Sequence, residues 1–520
     1  MARVIFISLY DRNAYGIRLM SALLKQNGHT CNIIFLKKYK TSRTFQVDSN
    51  AEAYPWIGIH KNGRPFKYAS NSLISEKELS LLSQTIDKIQ PDLVGITVNT
   101  PLRTHAKKVT LFLKKKFHFP VIWGGFDPTV NPYDCIKYCD YACIGEGEST
   151  ILAIASQIDS GNSLKTIGNL CFLENGISTV NQCYPLDQNL DKIPWRDNSP
   201  EGKFLIEDDR LIENEVGLND KKGKIYQVMS SRGCPNSCSY CCEASFKKLY
   251  GGERFLRRRS PDDVVNELAE VKKKFNIEAV QFEDEIFSVN VKWLESFVPL
   301  YNKNVDLPFT AYLYPSNNIP RSLKLLKEAG LNYCCLSLQS GSERINRNIF
   351  ERPFSKKLFL KTAHLCRELE IPFYTDIITY NPCEDEKDLK ETLNVLVQIN
   401  GAFNIAVNKL FILPNTRISQ IFQQNNIALE LVKQNELLFN YYSRLFWIAA
   451  LANRPARLVS IIEKFKIFRK YPKYLNPQII EFGLHPILSS SSALFSILPE
   501  EVKYSRKVVR LKRTLKKYLG

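Results

Sequence analysis

The sequence predicts an α/β protein: a Rossmann-like doubly wound parallel sheet, then a partial (β/α)6 barrel of TIM type, then a helical carboxyl-terminal region. Three observations carry this. Compact apolar runs alternate with amphipathic stretches over residues 1–165, the alternation breaks over 166–222 and resumes over 223–420, and from 421 to 520 the pattern turns helical and aromatic, as in "LLFNYYSRLFWIAALA". Apolar strands that alternate with amphipathic helices indicate a parallel sheet covered on both faces.

In the first region, "RVIFISLY" reads as a strand. "YGIRLMSALLKQNGH" has helical spacing that ends at Asn27 and Gly28, and "CNIIFL" is a second strand. "DLVGITV" and "PVIWGG" follow, with "HAKKVTLFLKKKF" as the helix between them, and then "CDYACIGEGEST". Ligands of such sheets sit at the carboxyl ends of the strands. The loops there are "LYDRNAYG", "TVNTPL", "GGFDPT" and "GEGE", whose glycines permit close backbone approach to a bulky ligand. Residues 166–222 read as a polar linker. In the second region the strand candidates are "KIYQVMS", "IEAVQFE", "FTAYLY", "YCCLSL", "FYTDIIT" and "AVNKLFIL". Helices fall between them, and the first starts with Ser260 as a cap, Pro261 at its first position, and Asp262 and Asp263 complementing the helix dipole. Six strand–helix units suggest a full or incomplete barrel with its active site at the strands' carboxyl ends.

Composition bounds the function. A chain of 520 residues, 44% hydrophobic, buries a large core without staples, and fourteen cysteines are too sparse for a disulfide scaffold. Their local clustering points to metal or redox chemistry in a reducing cytosol. "MARVIFISLY" reads as a strand, not a secretory signal, and no apolar run reaches the roughly 18–20 residues of a membrane span. The expected location is therefore the cytoplasm. Much of the net charge of +18 lies in runs such as "LKKKF" and "VKKKF" on solvated helical faces. The tail 503–520 carries eight Lys or Arg and no acid, with an apolar stripe of Val508, Val509, Leu511, Leu515 and Leu519. Such a tail suits a solvated helix packed on the body, a peripheral membrane contact or, ranked last, RNA.

"SSRGCPNSCSYCCEASF" follows the first barrel strand and spaces Cys234, Cys238 and Cys241 as C-x3-C-x2-C. On a helix these thiols would share one face and form a buried stripe. Gly233, Pro235, Asn236 and Ser237 favour a loop instead. Closed zinc sites need four ligands, and Cys242, adjacent to Cys241, is poorly spaced for the fourth. Three thiolates on an iron–sulfur cube leave one iron open.

With Tyr240 before the third cysteine, this motif resembles that of the radical S-adenosylmethionine (SAM) superfamily. The resemblance implies a [4Fe-4S] cluster on Cys234, Cys238 and Cys241, with SAM on the open iron and Tyr240 near the adenine. "QFEDEIF" resembles the acidic segment that receives the SAM ammonium, placing Glu283, Asp284 and Glu285 there. "LSLQSGSERI" resembles the segment near the SAM ribose and carboxylate, placing Ser337, Gln339 and Ser340 there, with Gln339 where Glu is usual. "YNPCEDEKDLKETL" and "ILPNT" depart from the family's late-strand pattern.

A doubly wound domain before such a barrel resembles the cobalamin-binding radical SAM subfamily. Its loops imply cobalamin contacts at Asn13, Gly16, Thr97, Gly124, Gly125, Thr129, Gly145, Glu146 and Gly147. Asn13 stands where other cobalamin proteins carry a cobalt-ligating His, so cobalt would lack a protein imidazole. Asp127 replaces the His of the subfamily's "GG-x-H-P-T". Cys135, Cys139 and Cys143 recur every four residues but read as core packing, and Cys242 has no assigned role.

The implied activity is methylation of an unactivated carbon through a 5'-deoxyadenosyl radical and methylcobalamin, on a small-molecule or lipid-like substrate, with an electron donor such as flavodoxin or ferredoxin. Cobalamin-dependent cyclisation, rearrangement or oxygen insertion without methyl transfer is the alternative. RNA methylthiolation needs a second cluster, and the sequence offers no convincing one. No residue type identifies a protein acid or base.

Overall fold

The computed structural model describes residues 1–37, 73–214, 225–252, 254–399, 401–452, 455–464 and 466–472, together with Leu475 and short strands at 40–41, 56–59 and 65–69. The basic tail and its membrane or RNA readings lie outside the described residues.

Strand Arg3–Leu9 is central to the first sheet. It pairs in parallel with Thr30–Leu36 on one side and Leu93–Thr97 on the other, followed by Val121–Gly124 and Tyr141–Cys143. The chain thus builds outwards in both directions from this strand, opening a crevice at the carboxyl ends where the winding reverses. The flanking helices follow from local chemistry. Glu76–Ile89 starts in a capping box made by Ser75 and Glu78. The core beneath them includes Ile5, Ile7, Ile34, Val94, Ile96 and Trp123.

The stretch read as a linker also feeds this sheet. Leu170–Glu174 and Ile177–Val180 form one antiparallel edge, and Lys203–Glu207 with Arg210–Glu213 forms the other. The outermost strands Ile177–Val180 and Arg210–Glu213 have a solvated side and carry little apolar signal, and their inner partners are only five residues long. Cys135, Cys139 and Cys143 are buried in this first core, as the packing interpretation expects.

The second sheet contains six parallel strands in chain order: Ile225–Val228, Ala279–Phe282, Phe309–Leu313, Leu331–Leu336, Phe373–Thr379 and Asn404–Lys409. The short strands at 56–59, 65–69 and 40–41 extend it beyond the sixth. Helix Pro261–Phe275 begins as its sequence dictates: Ser260 accepts from the Asp263 N–H at 3.1 Å, and Asn276 closes the helix in the left-handed conformation. Helix Glu436–Leu451 buries Phe439, Tyr442, Phe446 and Trp447 in the core shared with the barrel. Its Ala450 carbonyl accepts from the Phe403 N–H at 2.9 Å, fastening it beside the last strand. Among the described residues no helix is long and apolar enough to cross a membrane.

Candidate active site

The three-cysteine segment leaves strand Ile225–Val228 through Ser230 and Ser231, turns at Gly233 and ends where Cys241 caps helix Cys242–Leu249. Gly233 has φ +87°, and a Cβ there would lie 2.5 Å from the Phe255 carbonyl oxygen, so neither the turn nor its packing accommodates a larger residue. The Cys241 N–H donates to the Cys238 carbonyl at 3.0 Å, curling the loop.

The loop brings the thiols within electrostatic reach of one another. Burial pushes Cys234 up to about 12, with Glu285, Cys241 and Cys238 adding to the rise. Burial likewise raises Cys238 to about 11, and the Cys241 thiolate adds to it. Cys241 is raised well above the ordinary thiol range, first by its hydrogen bond with Cys242 and then by burial. Without a metal these sulfurs stay protonated, whereas thiolates are the ligand form that a cluster stabilises. Among the described residues no three His, Cys, Asp or Glu side chains converge on one ion. A four-iron cube is broader than an ion and takes thiolates at separate corners, so this donor set fits the cube.

The acidic segment divides into two fates. Asp284 is fully buried and faces the loop: it accepts from the Ser230 N–H at 3.0 Å, the Ser230 hydroxyl at 2.6 Å and the Ser231 hydroxyl. Arg258 lies 3.8 Å away. Asp284 therefore fastens the cysteine loop, with its lone pairs engaged by neighbouring donors. Glu283 is half-buried, accepts from Gln281 at 2.6 Å and is raised chiefly by burial. Glu285 is exposed on the cavity wall, raised by desolvation and by its two acidic neighbours.

Tyr240 packs edge-on against Phe350 with ring centroids 4.8 Å apart. Gln339 has φ +64°, its N–H donates to the Asp376 carbonyl at 2.7 Å, and its buried Oε1 has no hydrogen-bond partner. That unsatisfied acceptor fits a ligand donor such as a ribose hydroxyl. Ser337 is half-buried, and its carbonyl accepts from Arg352 at 3.0 Å. Ser340 is fully buried, with its hydroxyl engaged by Thr392 and by the Ser342 N–H. These bonds tie the turn together.

A cavity of about 470 Å³ separates the cysteine loop from the carboxyl ends of the first sheet. This is within the roughly 300–1,000 Å³ usual for small-molecule and cofactor sites. Gly16, Thr97, Gly124, Gly125, Gly145, Glu146 and Gly147 line one side, and Arg232, Gly233, Glu243, Phe246, Tyr250 and Glu285 line the other. The glycines form a cradle: at Gly125, φ +108°, a Cβ would meet the Val98 carbonyl at 3.1 Å. Glu243 Oε2 is buried without a partner, and burial followed by Glu285 and Glu146 raises this carboxyl to about 8. A neutral carboxyl is a ready donor to an amide carbonyl, the group that rims a corrin.

Three expected cobalamin-loop features fall outside the cavity lining. Asn13 is exposed, and its N–H donates to Asp11 in a local turn. Thr129 staples two glycine loops, donating to the Gly125 carbonyl at 2.8 Å and accepting from the Gly145 N–H at 3.0 Å. Asp127 is buried in a two-pronged pair with Arg103, both contacts at 2.6 Å, and accepts from Thr100 at 2.9 Å. It stabilises the loop beneath the cavity.

Residues that local pattern does not reveal join the two walls. Arg232 pairs with Glu148 at 2.7 Å and Glu146 at 3.2 Å, while Arg257 also pairs with Glu146. The Glu146 N–H donates to Tyr250 Oη at 2.8 Å. Burial opposes ionisation of Glu148, but the charge and hydrogen bond of Arg232 overcome it and hold the carboxyl below its usual range. The GEGE loop and the cysteine loop are thereby locked together. Only the presence of Arg232 inside the motif hinted at this.

Residues 228–396 match the Radical SAM superfamily. The chain carries a radical SAM domain and is a radical SAM enzyme. An uncharacterized methyltransferase of Pyrococcus horikoshii is 25% identical over 367 residues, covering 69% of this chain and 75% of that protein. The fold is that of cobalamin-dependent members. TsrM from Kitasatospora setae, a radical S-adenosylmethionine methyltransferase solved with cobalamin and a [4Fe-4S] cluster, aligns with TM-score 0.60 at 16% identity over 82% of this chain and 78% of its own. The cobalamin-dependent radical enzyme OxsB aligns with TM-score 0.63 at 14% identity over 99% and 79%.

Proposed function

We propose that this protein is a cobalamin-dependent radical SAM enzyme that methylates an unactivated carbon of a small molecule. The observation that carries this reading is the cavity in which a glycine-lined carboxyl edge faces Ser231–Gly233, the start of the three-thiol loop, and the helix that follows it. Residues 1–165, with the strands between 170 and 213 that complete their sheet, serve as the cobalamin domain, and 223–420 serve as the radical SAM barrel. When bound, the cluster with SAM supplies hydrogen-atom abstraction and cobalamin supplies a methyl group.

The chain's own residues position and exclude. Cys234, Cys238 and Cys241 hold the cluster, leaving one iron for SAM. Glu283 and Glu285 receive its ammonium, Ser337 and Gln339 its ribose and carboxylate, and Tyr240 flanks its adenine. Gly16, Thr97, Gly124, Gly125, Gly145 and Gly147 let a flat ring approach the backbone. The Arg232 and Arg257 pairs to the GEGE loop keep the walls closed, so that a reactive species between them stays away from water. Electrons come from a small carrier such as flavodoxin or ferredoxin.

The test is anaerobic reconstitution with iron, sulfide and cobalamin, followed by incubation with SAM and a low-potential reductant. Formation of both 5'-deoxyadenosine and S-adenosylhomocysteine fits methyl transfer. Formation of 5'-deoxyadenosine alone, with substrate present and consumed, assigns a cobalamin-dependent reaction without methylation. Absence of iron–sulfur absorption ends the proposal.

A further inference from the structure

The interior of a closed barrel is filled by layers of side chains. Here the inward positions are left half-open. Along Phe309–Leu313, Phe373–Thr379 and Asn404–Lys409, buried residues under the helices alternate with half-buried ones on the inner face. Strand register places Tyr312 beside Cys335, and Cys335 beside Tyr374. The inner face is polar and aromatic, and its alternate positions are half-buried.

Asp376 projects from this inner face, two residues beyond Tyr374. One carboxylate oxygen accepts from the Cys335 thiol at 3.3 Å, a weak donor. Among the described residues no cation forms an ion pair with it. Arg352 is near enough to favour its charge, but that guanidinium donates to the Ser337 carbonyl and lies over the Tyr314 ring at 4.8 Å. Tyr333 and Tyr374 are stacked nearby with centroids 5.8 Å apart. Glu283 adds a second acid within reach of Tyr312. A carboxylate short of donors beside half-buried tyrosine faces is a set that recognises an organic cation.

From this arrangement we infer that the lumen takes the amine-bearing end of the substrate, its protonated nitrogen paired with Asp376 and flanked by Tyr333 and Tyr374. This substrate class rests on the enzymatic reading above. Burial raises the Asp376 carboxyl to about 6, which an ammonium partner would reverse.

The probes are tyramine and tryptamine, each set against its carboxylate counterpart, 3-(4-hydroxyphenyl)propionate or indole-3-propionate. Calorimetry on the full reconstituted chain should detect the amines and not the acids. Asp376→Asn should weaken amine binding by about tenfold or more, the cost of leaving a charge unpaired, while Asp376→Glu retains it. In the wild type, amine affinity should fall as pH drops from about 7.5 to about 5.5, because the carboxyl gains its proton there. The groups facing Asp376 are Cys335, Tyr312, Tyr333, Tyr374 and Arg352. Its thiol and phenol neighbours are pushed upwards, out of that window. Glu283, the other lumen acid, is separated by Glu283→Gln. Equal binding of acids and amines, a smaller Asp376→Asn effect, or competitive displacement of the amine by SAM would overturn the inference. Reductive SAM cleavage by the same preparations reads the enzymatic proposal independently. Its absence in the wild type sinks that proposal, whereas its persistence in Asp376→Asn with amine binding lost supports the lumen site.

Discussion

Asp284→Ala separates a loop fastener from a SAM ligand. The substitution strands the Ser230 N–H and two serine hydroxyls and leaves Arg258 without its nearest acid. Hydrogen bonds to a charged acceptor contribute about 1.5–3 kcal/mol each, and their sum is not additive. Breaking a buried charged cluster typically costs about 3–5 kcal/mol, and that is the expected loss. Since Ser231 lies three residues before Cys234, the cysteine loop should loosen with it. Denaturant titration of the apo-protein should register the stability loss, and iron per chain after reconstitution should fall below wild type. Asp284→Asn, which keeps one acceptor, should lose less. Wild-type stability and iron content combined with abolished SAM binding would refute the reasoning and return Asp284 to the SAM site.

Other substitutions and pH dependences test further contacts. Gly145→Ala forces a side chain into φ +76° with its Cβ 2.0 Å from Tyr250 Oη, so cobalamin retained after gel filtration should drop while reductive SAM cleavage persists. Arg232→Ala removes the hydrogen-bonded ion-pair partner of Glu148, leaving it only the weaker influence of Arg257. It should cost ~3 kcal/mol, read as a lower unfolding midpoint, with iron loading also reduced. In the wild type the Glu148 contribution is present above the unfolded carboxyl value, about 4.3, and is lost as pH falls through the depressed folded value. Glu384 shows the opposite sign: burial raises it to about 8, so its neutral form is favoured in the fold and stability declines as pH rises from about 4.3 to about 8. Glu384→Gln, still able to accept from Thr379, should flatten that decline in urea titrations across this range.

How much could be read in advance depended on the range of the interaction. The six barrel strands, the Ser260 helix start and the three-thiol loop are written in contiguous residues, where periodicity, a capping hydroxyl and ligand spacing act within a few positions. The strands at 170–180 and 203–213 escaped because each is only four or five residues long, and the hairpin partners Ile177–Val180 and Arg210–Glu213 are largely solvated. Asp284 and Glu285 look interchangeable in "FEDEIF", yet one accepts from two serines and the other borders the cavity. The contact of the Ser340 hydroxyl with Thr392 spans 52 positions and has no local signature.

By itself the sequence determined the two α/β rhythms, the cysteine spacing and the glycines at the strand ends, because each is a local property of backbone torsion, side-chain period or chelate geometry. Tertiary structure alone decided which acids face ligand space and which are consumed by partners. Arg257 meets Glu146 across 111 positions of chain, and Cys335 meets Asp376 across 41. The fate of a buried charge is set by what lies within a few ångströms of it, and such neighbours are assembled only when the sheets close.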